Sequence, residues 1–71
     1  MKVKFLGWIS SLAGKREMDI DIDEPVQLKD ILPFSLQKRN VIVVINDTAG
    51  SEESVIKNTD RVVLLPVISG G

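Results

Sequence analysis

Asp60-Arg61-Val62-Val63-Leu64-Leu65-Pro66-Val67-Ile68-Ser69-Gly70-Gly71 closes the chain, and the run from Val62 to Leu65 is apolar at every position. A strand with one wet face alternates apolar and polar residues, whereas Arg61 to Leu65 needs cover on both faces at least part of the time. Val41-Ile42-Val43-Val44-Ile45 is a second run of this kind and is β-branched throughout, as suits a central strand. Asn46-Asp47 ends it with turn-forming side chains, and Asn58-Thr59-Asp60 makes the turn into Arg61. These runs make the heart of the predicted sheet.

Working outward, Lys2 to Trp8 places Val3 and Phe5 on one face and Lys2, Lys4, Leu6 and Trp8 on the other, which predicts a half-buried first strand. Ser10 to Gly14 reads as a short helical turn closed by a glycine. Arg16 to Asp23 alternates again, with Met18, Ile20 and Ile22 spaced by Asp19, Asp21 and Asp23. Its acidic outer row marks it as a sheet edge protected from further pairing. Glu24-Pro25 breaks that strand, and Val26 to Leu32 sets Leu28, Ile31 and Leu32 at helical spacing before Pro33. A short helix is therefore expected at Val26 to Leu32. Ser51 to Ile56 reads as a loop or single helical turn. The order β, β, α, β, turn, β, without repeat or linker, predicts one α+β domain.

Length and composition exclude several functions. Seventy-one residues make one small domain that buries only about 60% of its unfolded surface, leaving little room for a deep pocket. The chain has no cysteine and no histidine, so neither a disulfide nor a histidine-bound metal is expected to support the fold. Nine basic and ten acidic side chains give a net charge of -1, with only three aromatic residues. That balance argues against nucleic-acid binding. The cluster Gln37-Lys38-Arg39-Asn40 is basic enough to touch a phosphate, but a short charged run between apolar segments more simply reads as a solvated loop. The apolar runs fall far short of the roughly 20 residues that span a bilayer, and Met1 to Trp8 lacks the apolar stretch of a secretory signal. A cytoplasmic location without a membrane span is expected.

One short helix covers one face of such a sheet, so the apolar residues of the other face are expected to lie open and to receive a partner. Alternation assigns Leu6, Trp8, Val63 and Leu65 to that face, with Ile42 and Val44 as further candidates. A packing of Trp8 over the rim of the core is the alternative. Beyond Leu65, the tail Pro66, Val67, Ile68, Ser69, Gly70 and Gly71 reaches about 20 Å when extended at roughly 3.3 to 3.6 Å per residue. Glycine-rich chain ends are often simply loose. Yet a terminal Gly-Gly arises by chance in only about one chain in 200 at ordinary glycine usage. With no Cβ, Gly70-Gly71 makes a thin probe that ends in a carboxylate.

Taken together, Val3-Lys4-Phe5-Leu6 with Leu12-Ala13-Gly14, the central Val44-Ile45-Asn46 and the close from Asp60 to Gly71 resemble the MoaD and ThiS family of ubiquitin-like sulfur carriers. The Leu-Ala-Gly turn and the Pro66-Val67 pair look more like MoaD, the small subunit of molybdopterin synthase. The resemblance covers nearly the whole chain. It implies a β-grasp fold with a four- to five-stranded mixed sheet, one main short helix on one face, a domain over residues 1–65 and a flexible tail over 66–71.

The resemblance also implies a protein substrate with no catalytic residues, bound cofactor or metal of its own. A ubiquitin-activating-type enzyme would use ATP to adenylate the Gly71 carboxylate, and sulfur transfer would convert it to a thiocarboxylate. The large subunit of molybdopterin synthase or another sulfur acceptor would then receive the sulfur. Relatives serve thiazole formation, tRNA thiolation or attachment to protein lysines, so a lysine-conjugated modifier is a second reading. A β-grasp interaction module with an incidental Gly-Gly is a third. An enzyme built on Asp19 and Asp21 fits least, because carboxylates on an edge strand are explained by protection against aggregation.

Overall fold

The computed structural model describes residues 1–32 and 41–67. Strand β1 (Lys2–Phe5) leads into helix α1 (Trp8–Ala13) and returns as β2 (Glu17–Asp19). A short strand β3 (Val26–Gln27) runs into a 3₁₀ turn (Leu28–Asp30), followed after the undescribed segment by β4 (Val41–Ile45), β5 (Thr48–Gly50), β6 (Val55–Ile56) and β7 (Arg61–Pro66). The main sheet has five strands in the order β2-β1-β7-β4-β5, and β3 pairs with β6 in a separate two-stranded ribbon. The last strand is thus the middle of the sheet, parallel to β1 and antiparallel to β4.

Register sorts the side chains as the alternation predicts. Val3 lies opposite Val62 and Phe5 opposite Leu64, while Leu64 faces Val43 on the other side. All are buried, and with Ile9, Leu28, Leu32 and Ile56 they form one core. Ile9 comes from α1, so this six-residue helix packs on the core face. Gly14 closes it in the left-handed conformation at φ 78°, its N–H donating to Ser10 O.

The helix expected at Val26 to Leu32 is a strand followed by a 3₁₀ turn. Val26 and Gln27 are held extended by antiparallel pairing with Ile56 and Val55, and the loop before β6 accepts from the next two amides, Leu28 N–H donating to Ser54 O at 3.0 Å and Lys29 N–H to Glu52 O at 2.8 Å. The apolar spacing still serves the core, because Leu28 and Leu32 are both buried. Ser51 to Ile56 contains β6 rather than only loop or helix, and Arg16 to Asp23 contributes strand only over Glu17–Asp19. That short strand is an outer edge of the sheet, as expected. The sheet also runs one residue past the expected domain boundary, since Pro66 belongs to β7 and lies opposite Val41.

Strand β5 goes beyond the sequence-based expectation. Asn46 and Asp47 both take positive φ, 51° and 67°, and Ile45 lies opposite Thr48. This is the two-residue hairpin geometry in which both central residues are left-handed. Asn46 also bonds through its side chain, whose Nδ2 donates to Asp60 Oδ1 at 2.9 Å and whose Oδ1 accepts from Arg61 N–H at 2.9 Å. The second carboxylate oxygen of Asp60 accepts from Lys57 N–H at 2.8 Å. The buried Asp60 carboxylate therefore ties the β4-β5 hairpin to the turn that starts β7. The Lys57 N–H and the Asn46 amide hold its pKa below the ordinary value, against the opposing effect of burial.

A carboxyl whose pKa falls on folding adds stability above its unfolded pKa of about 3.9 and loses it as pH drops through the folded value. We expect Asp60→Asn to be less stable than the parent at neutral pH. The gap should narrow as pH falls below about 4. Urea denaturation at several pH values measures it, and a gap that stays constant on acidification contradicts this role for Asp60.

Candidate functional site

The face of the sheet opposite the core is open. Ile42 and Leu65 are paired across β4 and β7, as are Val44 and Val63. Ile42 is 43% exposed, and Val44, Val63 and Leu65 are half-buried. Leu6 continues the β1 register beside Leu65, its N–H donating to Leu64 O at 3.0 Å, and its side chain is exposed. Leu6, Val63 and Leu65 therefore fall together on one face with Ile42 and Val44.

Trp8 requires a correction. Strand alternation assigns it to this face, but β1 ends at Phe5 and Trp8 is the first residue of α1. The chain turns at Gly7, whose φ of +60° is one that side-chain-bearing residues rarely adopt. Trp8 is 47% exposed. It stands next to Gly7, which lies against Pro66, and Val67 just beyond is exposed as well. Leu6, Trp8, Ile42, Leu65 and Val67 thus cluster where the chain leaves the sheet.

The two ends of the open face differ in chemistry. Away from the chain exit lies a depression lined by Lys2, Lys4, Val44, Asn46, Asp47, Arg61, Val62 and Val63. Its cations come from the polar positions of β1 and the start of β7, where Lys2 lies opposite Arg61. Alternation along β1 puts Lys2 and Lys4 on this face without giving them a role. Only the register brings Arg61 beside them.

Ile68, Ser69, Gly70 and Gly71, and the cluster Gln37 to Asn40, lie outside the described residues. Among the described residues no group of three His, Cys, Asp or Glu side chains is placed to hold a metal ion. No described helix is long and apolar enough to cross a membrane.

A mixed sheet with its first and last strands parallel and adjacent, and a short helix packed on its core face, defines the ubiquitin-like β-grasp class. SAMP1 from Haloferax volcanii has the same fold, with a TM-score of 0.76 and 22% identity over 100% of this chain and 98% of that one. So does a putative molybdopterin converting factor, subunit 1, from Pyrococcus furiosus, with a TM-score of 0.74 and 20% identity over 94% of this chain and 95% of that one. No curated protein matches the chain significantly. The ThiS family model matches residues 3–71, and the chain belongs to that family.

Two substitutions separate the faces. Phe5 is 1% exposed, and Phe5→Ala should cost about 3 to 5 kcal/mol by leaving a cavity. Leu65→Asp places its charge on the open face and should cost clearly less. Chemical denaturation of both variants checks this, and a larger loss for Leu65→Asp contradicts the assignment of faces.

Proposed function

We propose that this chain is a sulfur carrier whose reacting group is the carboxylate of Gly71. The observation that carries the reading is the extent of the family match, which runs from residue 3 through Gly70-Gly71. A carboxylate is a poor acceptor for a sulfur nucleophile, and this chain has no cysteine or histidine with which to activate it. A ubiquitin-activating-type enzyme therefore supplies the activation. The carboxylate oxygen attacks the α-phosphorus of ATP, pyrophosphate leaves, and an acyl-adenylate forms. Sulfide delivered by a donor displaces AMP and leaves the thiocarboxylate. The need for ATP suits a cytoplasmic location.

The open face supports the same reading. Its apolar residues Leu6, Ile42 and Leu65, with Trp8 of α1 and Val67 beside them, surround the point where the chain leaves the sheet, so a partner docked there receives the tail as well. Exposed apolar clusters of this kind are favoured docking surfaces. Pro66, Val67, Ile68, Ser69 and Gly70 then act as the lead that carries Gly71 into the partner. The molybdopterin branch is the acceptor pathway we favour, with the large subunit of molybdopterin synthase as partner. Support comes from the Pro66-Val67 pair and from the similarity to a putative molybdopterin converting factor subunit.

Pyrophosphate exchange with the activating enzyme of the same organism tests the proposal. The native chain should support exchange, whereas a chain carrying one added C-terminal alanine should be inert, because its carboxylate is displaced. Equal rates for the two contradict the sulfur-carrier reading. Gly70→Ala and Gly71→Ala should also impair exchange, since a Cβ thickens the probe, yet leave the melting temperature of the domain unchanged. Melting temperature lost in step with exchange would count against a role confined to the tail.

A further inference from the structure

Pro66 occupies the middle strand of a five-stranded sheet, where a residue without an N–H normally costs a ladder bond. Peptide groups along β7 point alternately to its two neighbours. Those of Leu64 point to β1, because Leu64 O accepts from Leu6 N–H at 3.0 Å. Two residues on, the amide of residue 66 points to β1 again. In a parallel ladder the next bond would run from that N–H to Leu6 O. Pro66 cannot donate it.

Leu6 O is satisfied another way: it accepts from Ile9 N–H at 3.3 Å in the opening turn of α1. The same proline packs against the turn that makes this possible. A Cβ on Gly7 would lie 2.9 Å from Pro66 Cγ and 3.3 Å from Pro66 Cδ, and Gly7 already holds φ +60°. The missing donor, the glycine that turns the chain and the first bond of the helix therefore meet at one point. The last register pair of β7 with β4, Val41 with Pro66, falls there too.

We infer that Pro66, seated against Gly7, is a ladder stop that fixes where the last residues leave the sheet, and so is a positioning residue for the Gly71 carboxylate. With a donor at position 66, β7 would extend by one rung along Leu6, in competition with Ile9 N–H. Val67 would then be held in line with the strand. The positioning role rests on the sulfur-carrier reading, but the ladder stop does not.

Pro66→Ala supplies the donor and keeps the chain length. Hydrogen exchange followed by NMR on the isolated variant should find the new amide at 66 protected by about tenfold or more relative to an unstructured peptide. The Ile9 amide should lose protection, and the melting temperature should not fall. In pyrophosphate exchange with the activating enzyme, kcat for the variant should fall by about tenfold to a hundredfold, as a misplaced reacting group does. KM should change little, because the docking face is intact. A synthetic chain with N-methylalanine at position 66 again lacks the donor and should recover most of the lost kcat.

Rapid exchange at residue 66 with Ile9 unchanged overturns the ladder stop. A protected amide with wild-type kcat, or failure of N-methylalanine to rescue, overturns the positioning role. If the parent chain itself supports no pyrophosphate exchange, the carrier reading and the positioning role both fail, and the amide protection still decides the ladder stop.

Discussion

Everything in this fold depends on β7 being hydrogen-bonded on both sides while it is covered on only one face. The final strand lies between the first and the fourth, parallel to one and antiparallel to the other, so closing the sheet sets the first and last strands side by side. Its alternate residues then have opposite fates. Val62 and Leu64 enter a core whose other walls come from Ile9, Leu28 and Ile56, while Val63 and Leu65 face away from it. Among the described residues no second layer covers the outer face, as suits so small a domain. The apolar surface left open is thus a consequence of topology, and it lies along the same strand that delivers the tail.

That arrangement requires β7 to start in register, and the Asn46-Asp60 pair secures this. Asn46 uses backbone and side chain alike: its N–H donates to Arg61 O, its Oδ1 accepts from Arg61 N–H, and its Nδ2 reaches Asp60. Val44-Ile45-Asn46 and Asp60-Arg61 are among the stretches that carry the family resemblance. In this structure they hold the hairpin to the central strand. Pro66 sets the other limit of β7. A strand pinned at Arg61 and stopped at Pro66 offers its following residues from a defined place.

The sheet is legible in the sequence wherever burial is one-sided or complete. Val3 and Phe5 against Lys2 and Lys4, and the unbroken runs Val41 to Ile45 and Val62 to Leu65, are patterns that only strands satisfy economically. Local spacing misleads where long-range bonds override it. Leu28, Ile31 and Leu32 have helical spacing, yet Val26 and Gln27 just before them are drawn into extended pairing with β6. Thr48-Ala49-Gly50 has no apolar alternation, so only the two-residue Asn46-Asp47 turn hints at β5. Of the site, Leu6, Val63 and Leu65 are readable from alternation, whereas Trp8 is misplaced by it because the left-handed turn at Gly7 ends the strand first. Arg61 beside Lys2 is invisible, since the parallel register between residues so distant in sequence has no local signature.

The central claim is that Gly71 carries sulfur, and intact-mass measurement of the chain isolated from its own organism tests it most directly. A sulfur carrier should show a population heavier than the sequence by the exchange of one oxygen for sulfur, with the change located in the C-terminal peptide. A chain found only at its unmodified mass, or only joined through Gly71 to lysines of other proteins, would contradict it.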